Sequence, residues 1–211
     1  MAEAVAESPL HEPYQTHARQ REAVVFGLWT FLASELLLFA GLFMAYTVYR
    51  WTQTEAFNAA AHHTNELYGA INTGWLLTSS AAIAIAGRAL ERGQVKTATV
   101  LIWVTILFGL LFLGTKALEY KEDLEEHLWP DAHFALAQPA ARAFFGLYWV
   151  MTGIHAVHVT VGLCLIARLA VMAHVGTLRE RTDSMEATSL YWHLVDAIWV
   201  VLFPCLYLVG R

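Results

Sequence analysis

Residues 24–48 read VVFGLWTFLASELLLFAGLFMAYTV, and this one run decides the fold class. It carries a single charged side chain, Glu35, and exceeds the roughly 20 residues an α-helix needs to cross the hydrocarbon core. Lipid offers no hydrogen bonds to backbone N–H and C=O groups, so a spanning segment is either a helix or a strand of a closed barrel. A barrel strand would alternate apolar and polar residues, and this run does not. Four further stretches have the same character: Tyr68–Ala86, Ala98–Leu118, Phe144–Ala167 and Leu190–Val209. The sequence therefore predicts an all-α, polytopic membrane bundle of five transmembrane helices. Residues 1–23 form a polar tail and residues 24–211 the membrane domain.

Bulk composition agrees. Of the 211 residues, 57% are hydrophobic and 15% charged, against about 45–50% and 25% in soluble domains; the mean hydropathy is +0.46. A net charge of −5 without a basic stripe argues against a nucleic-acid partner. Cys164 and Cys205 lie inside apolar runs and read as small buried hydrophobes, not a disulfide framework. The N-terminal stretch lacks the basic start, short apolar core and small-residue cleavage site of a secretory signal, so the first span reads as a retained helix.

Lysine and arginine in the connections set the orientation. Arg19, Arg21, Arg88, Arg92, Lys96, Arg168, Arg179 and Arg181 alternate onto one side, and Arg50, Lys116, Lys121, Arg142 and Arg211 onto the other. Eight against five places the N-terminus in the cytoplasm and the C-terminus outside, in the bacterial inner membrane. The longest connection, about Tyr120–Ala143, bears an acidic run that reads as a solvated loop; its functional alternative is a docking patch for a basic partner.

Ionisable groups at membrane depth cost about 2.5–3.5 kcal/mol each on insertion scales and so face protein and find partners. Glu35 sits midway along the first span, at the border of a small-residue stripe of Gly27, Ser34 and Gly41 that suits close helix approach. Its two readings are a helix–helix tie and a proton-active or gating group. His155 and His158 stand one turn apart on the fourth span, beside Gly162 and a second stripe of Gly146, Gly153 and Thr160. Two imidazoles without a third ligand nearby favour interhelical hydrogen bonding over a metal. On the fifth span Trp192, His193, Asp196 and Trp199 share one face, with His193 and Asp196 close enough to pair. Glu119 and Tyr120, at the outer end of the third span, read as interfacial. No glycine-rich phosphate loop, Cys-x-x-Cys, nucleophile elbow or His-Glu-x-x-His motif occurs, so independent catalysis is not expected. Nor is there an inverted repeat or a broken helix pair of the kind that builds a transporter's midplane site, which weakens the reading of Glu35 and Asp196 as the relay of a small proton-coupled transporter.

Four stretches together resemble subunit III of the haem–copper terminal oxidases in its short, five-helix bacterial form. They are residues 34–43 (SELLLFAGLF), Glu119–Tyr120, residues 152–159 (TGIHAVHV) and residues 191–199 (YWHLVDAIW), in family order, with Asn72–Thr73 at the start of the second span. The resemblance covers about residues 24–211 and implies an accessory, non-redox subunit of a proton-pumping oxidase. Such a subunit binds subunit I directly, shares its complex with subunit II, and protects the oxidase from inactivation during turnover. Haem and copper would reside in the partner subunits and none in this chain. Bound phospholipid and an oxygen route toward subunit I are also implied. Glu35 matches the family's carbodiimide-reactive membrane carboxyl, while His155, His158, Trp192, His193, Asp196, Glu119 and Tyr120 would be interhelical or subunit contacts. Two N-terminal helices of the longer form have no counterpart here, so lipid contacts made by them do not carry over. Ser34–Glu35 and Phe39–Ala40–Gly41 look more like the cytochrome c-oxidising branch; the alternatives are subunit III of a quinol oxidase and an accessory subunit of nitric oxide reductase.

Overall fold

A computed structural model describes residues 17–131, 134–136, 139–178 and 182–209. The first sixteen residues of the tail, and Arg179, Arg181 and Arg211 used above for orientation, lie outside these. The described residues form six helices: α1 His17–Thr52, α2 Thr54–Ala61, α3 Glu66–Glu91, α4 Val95–Glu125, α5 Pro139–Val175 and α6 Thr182–Tyr207. Five of them, all but α2, are long and apolar enough to cross a membrane.

The helices outrun the apolar segments that announce them. Helix α1 starts at His17, inside the tail, and α4 continues seven residues past Leu118 to Glu125, so that Glu122 and Asp123 are helical and not part of a solvated loop. At 1.5 Å per residue, α5 with its 37 residues is far longer than the roughly 30 Å hydrocarbon core, and its ends project or tilt. Helix α2 was not foreseen. It is short and amphipathic, burying Phe57, Ala60 and Ala61. Phe57 stands edge-on to Tyr46 of α1 and to Phe144 of α5.

Sharp turns end three of the spans. Gly93 after α3 and Gly176 after α5 adopt positive φ angles of 74° and 86°. In each case the next N–H reaches back five residues to a carbonyl, Gln94 to Ala89 (2.8 Å) and Thr177 to Met172 (3.0 Å). This is the glycine-closed helix end, in which the left-handed residue lets the orphan carbonyls be met. Helix α4 closes the same way through His127, at φ 54°, with Leu128 bonded to Asp123 O at 2.9 Å. A side chain at that position costs about 1 kcal/mol or more.

Helices α3, α4, α5 and α6 form the body of the bundle: α3 packs on α4 and α6, and α5 on α4 and α6. In lipid the drive to pack comes from close contact and polar ties more than from escape from water. The tightest approaches are made at Gly69, Gly109 and Gly162, where an added Cβ would fall 2.8 Å from Phe203, 2.6 Å from Leu163 and 2.7 Å from Trp192. The two seven-spaced stripes are not among them. Gly27, Gly41, Gly146 and Gly153 have nothing within 4 Å of an added Cβ, so both stripes are open on this chain. Helix α1 instead docks through Leu32, Phe39 and Tyr46, also seven apart and all buried. Leu28, Leu42 and Phe43 pack against the core beside them, while Phe26, Trp29, Leu37, Met44 and Trp51 are exposed.

Candidate functional site

Two polar centres lie within the bundle, and both use α5. Glu35, in mid-α1, meets His158 of α5: Glu35 Oε2 is 2.6 Å from His158 Nε2, with the side chains only 18% and 15% exposed. The other ring nitrogen, Nδ1, is 2.8 Å from the carbonyl of Ile154, one turn back on the same helix. A carbonyl oxygen only accepts, so Nδ1 carries a hydrogen and the tautomer is fixed. Nε2 and the Glu35 carboxyl therefore share one hydrogen between them. Phe39 stands edge-on to the His158 ring at 5.4 Å, and the Tyr191 hydroxyl donates to the His158 carbonyl at 3.1 Å. The result is a polar tie between α1 and the bundle.

His155 behaves differently. It is fully buried and neither ring nitrogen has a hydrogen-bond partner among the described residues. Its ring lies edge-on to Phe112 (5.5 Å) and tilted against Trp199 (5.1 Å), so this histidine is held by aromatic packing.

On α6, Trp192 is buried and its Nε1–H donates to Ser79 Oγ of α3 at 3.0 Å. Trp199 Nε1–H donates to Thr73 Oγ1 at 3.1 Å. His193 does not pair with Asp196. Its Nδ1 is 2.7 Å from Ser80 Oγ of α3, a partner on the neighbouring helix in place of one on its own. The Asp196 carboxyl is 3% exposed and neither oxygen has a hydrogen-bond partner among the described residues. Trp192, His193 and Trp199 thus sew α6 to α3.

The second centre corrects the reading of Glu119 and Tyr120 as interfacial. Glu119 is 1% exposed and Lys116, one turn earlier on α4, is 2% exposed. The ammonium of Lys116 donates to Glu119 Oε2 (3.0 Å), to the Tyr148 hydroxyl of α5 (2.9 Å) and to the Tyr207 hydroxyl of α6 (2.8 Å). Tyr207 donates in turn to Glu119 Oε1 at 2.7 Å. The Tyr148 hydroxyl is 2.8 Å from Glu119 Oε1 and 2.8 Å from Asp123 Oδ2. The ammonium also lies over the ring of Tyr148, 4.5 Å from its centroid, an attraction between cation and π-face. Tyr120 stacks on Trp149 at 4.3 Å and donates to Thr152 Oγ1 at 2.8 Å, whose own hydrogen goes to the Tyr148 carbonyl. Three helices are thus fastened around one buried cation.

The sequence does not announce this centre: Lys116 reads there as one of the charges that set orientation, and no motif marks Tyr148 or Tyr207. One signal was present: Lys116 and Glu119 at i, i+3 share a helix face beside a long apolar run. Beside the cluster a cleft of about 660 Å³ opens between the α2–α3 connection and the end of α4, with Glu119 and Asp123 in its wall. Among the described residues no three His, Cys, Asp or Glu side chains are placed to hold one metal ion.

Comparison with known proteins adds the lineage. The family model described as cytochrome c oxidase subunit III matches residues 3–211. Cytochrome c oxidase subunit 3 of Thermostichus vulcanus is 31% identical, over 89% of this chain and 88% of its own. Cytochrome bo(3) ubiquinol oxidase subunit 3 of Pseudomonas aeruginosa is 28% identical, over 95% and 93%. The haem–copper oxidase subunit I+III of Aeropyrum pernix is 30% identical over 90% of this chain, which corresponds to 23% of that longer protein.

Proposed function

This chain belongs to the cytochrome c oxidase subunit III family, and from that premise we propose that it serves as the accessory, non-redox subunit III of a proton-pumping haem–copper terminal oxidase. It binds subunit I directly in the bacterial inner membrane, alongside subunit II, and the reduction of oxygen takes place in its neighbours. The observation that carries this reading is the match of residues 3–211 to the family of that name, joined by a relative named as subunits I and III in one chain. A chain whose relative is fused to subunit I is suited to sit against it.

The geometry supports an accessory role. Glu35, His158, Lys116, Glu119 and Tyr120 are engaged with other groups of the same chain, in the manner of ties that hold helices together. The open stripes at Gly27, Gly41, Gly146 and Gly153 and the exposed face of α1 offer apolar surface to subunit I and to phospholipid. We place the N-terminus in the cytoplasm. Lys116 is buried, which removes it from the loop charges and leaves eight against four.

We assign the cytochrome c branch from Ser34–Glu35 and Phe39–Ala40–Gly41. The relatives carry both cytochrome c and quinol oxidase names, so a quinol-oxidising complex is the second reading. Purification of the complex through a tag on this chain tests both points. Co-purification of a haem-bearing subunit I and a subunit II with a copper domain, with no stoichiometric haem or copper in the separated chain, is the expected result. Haem or copper bound by this chain alone, or isolation without an oxidase subunit, would overturn the proposal.

A further inference from the structure

The cluster around Lys116 is short of one hydrogen. Six contacts at 2.7–3.0 Å join Lys116, Glu119, Asp123, Tyr148 and Tyr207, and each needs one hydrogen between its two heavy atoms. An ammonium supplies three and two phenols supply one each, which makes five. All three ammonium hydrogens are taken, by Glu119 Oε2 and the two hydroxyls. The Tyr207 hydrogen is directed to Glu119 Oε1. The single Tyr148 hydrogen cannot serve both Glu119 Oε1 and Asp123 Oδ2. With both carboxyls ionised, one pair of oxygens would face each other at 2.8 Å across bare lone pairs.

Charge gives the same answer independently. One cation and two carboxylates leave a net charge of −1 among groups that are 6% exposed or less, where an uncompensated charge is strongly penalised. A sixth hydrogen satisfies every contact and makes the cluster neutral. Placed on Asp123 Oδ2, it is donated to the Tyr148 oxygen, which also accepts from Lys116 and so uses both of its lone pairs. Tyr148 then donates to Glu119, whose Oε1 accepts from both phenols while Oε2 accepts from Lys116.

Asp123 is also the member of the cluster that meets solvent. It is the most exposed of the three charged groups that α4 gives to the cluster and borders the 660 Å³ cleft. His62 and His63 from the α2–α3 connection and Glu66 from α3 line the same cleft. Glu122 of α4 and Glu126 just past its end rim it, Glu122 accepting from the Tyr68 hydroxyl at 2.5 Å. Carboxylates and imidazoles line this open cleft, with Asp123 in its wall.

We propose that the Lys116 cluster is a proton-binding site, holding one hydrogen on Asp123 within the Asp123–Tyr148–Glu119 chain and exchanging it with water through the adjoining cleft. The ligand is the proton alone, and no bond other than O–H is made or broken.

Infrared difference spectroscopy of the intact complex containing this chain tests the site. Wild type minus Asp123→Asn at neutral pH isolates the group, because an Asn amide donates to Tyr148 and keeps the hydrogen count at six. The difference is expected to contain the C=O stretch of a protonated carboxyl, lost in the variant and moved to lower frequency after brief exchange into heavy water. If the Asn variant does not assemble, Asp123→Glu keeps a carboxyl, and wild type minus this variant should shift the same band. An Asp196→Asn control should leave the band in place. Loss of carboxylate stretches in place of a C=O band, from either variant, would overturn the proposal. So would a C=O band that heavy water does not move, since the site would then not exchange through the cleft.

Discussion

Replacing Lys116 by methionine removes the cation from the centre of the bundle while keeping its length. The ammonium's three hydrogen bonds, at 3.0, 2.9 and 2.8 Å, are lost together, and Glu119, 1% exposed, keeps only its two phenol donors. Removing one partner of a buried ion pair costs about 3–5 kcal/mol. The two remaining donors still solvate the carboxylate in part, which sets the expectation at the lower end, about 3 kcal/mol. At about 1.4 kcal/mol per factor of ten, this is on the order of a hundredfold in the folded-to-unfolded ratio. The Lys116→Met, Glu119→Gln double variant removes both charges and should recover at least half of the loss, because a neutral replacement of a buried pair is often tolerated. Equilibrium unfolding of the full chain in mixed micelles, followed by the near-ultraviolet circular dichroism of Tyr148, Tyr207 and Trp199, yields the cycle. A single-variant loss under about 1 kcal/mol, or a double variant no better than the single, would refute the assignment of this network as a buried, mutually dependent unit.

Other expectations are simpler. Glu35→Gln retains a donor to His158 Nε2, so assembly should survive with a modest change in sustained turnover, read as oxygen uptake over many cycles; Glu35→Leu strands the imidazole and should cost about 1–3 kcal/mol in thermal stability of the complex. Gly162→Ala drives a Cβ to 2.7 Å from the indole of Trp192, which Ser79 holds in place, and should lower stability by about 1–3 kcal/mol. Gly153→Ala, with nothing within 4 Å, should unfold no more readily than wild type in the isolated chain under the same assay. Single cysteines introduced at Gln94 and at Trp129 should be labelled by an impermeant reagent from opposite faces of oriented membranes, Gln94 from the cytoplasmic one.

The fold class was legible because membrane spans are written in local composition: five apolar runs each announce a helix without reference to the others. What the runs could not give was where the helices end. The acidic residues of α4 after Leu118 look like loop, yet the helix persists to Glu125 because Asp123 is held by Tyr148 and Glu122 by Tyr68. Helix α2 was illegible since eight residues carry too little pattern to stand out between two spans. Glu35 and His158 were each conspicuous as polar groups at depth, but their pairing depends on the approach of α1 to α5, across 123 residues of sequence. The small-residue stripes do not make the close approaches within this chain. Small residues permit contact, and it is the bulky Leu32, Phe39 and Tyr46 that α1 uses. The Lys116 cluster draws on α4, α5 and α6, and no single window of sequence contains it.

As proposed, this chain sustains an oxidase whose chemistry lies in other subunits. The most direct test is to strip the chain from the purified complex and follow oxygen uptake from the first turnovers until activity decays. Haem content and initial rate should be largely kept, activity should then decay faster than in the intact complex, and adding the chain back should restore the lifetime. Loss of the initial rate together with the chain, or a lifetime unaffected by its removal, would contradict the proposal.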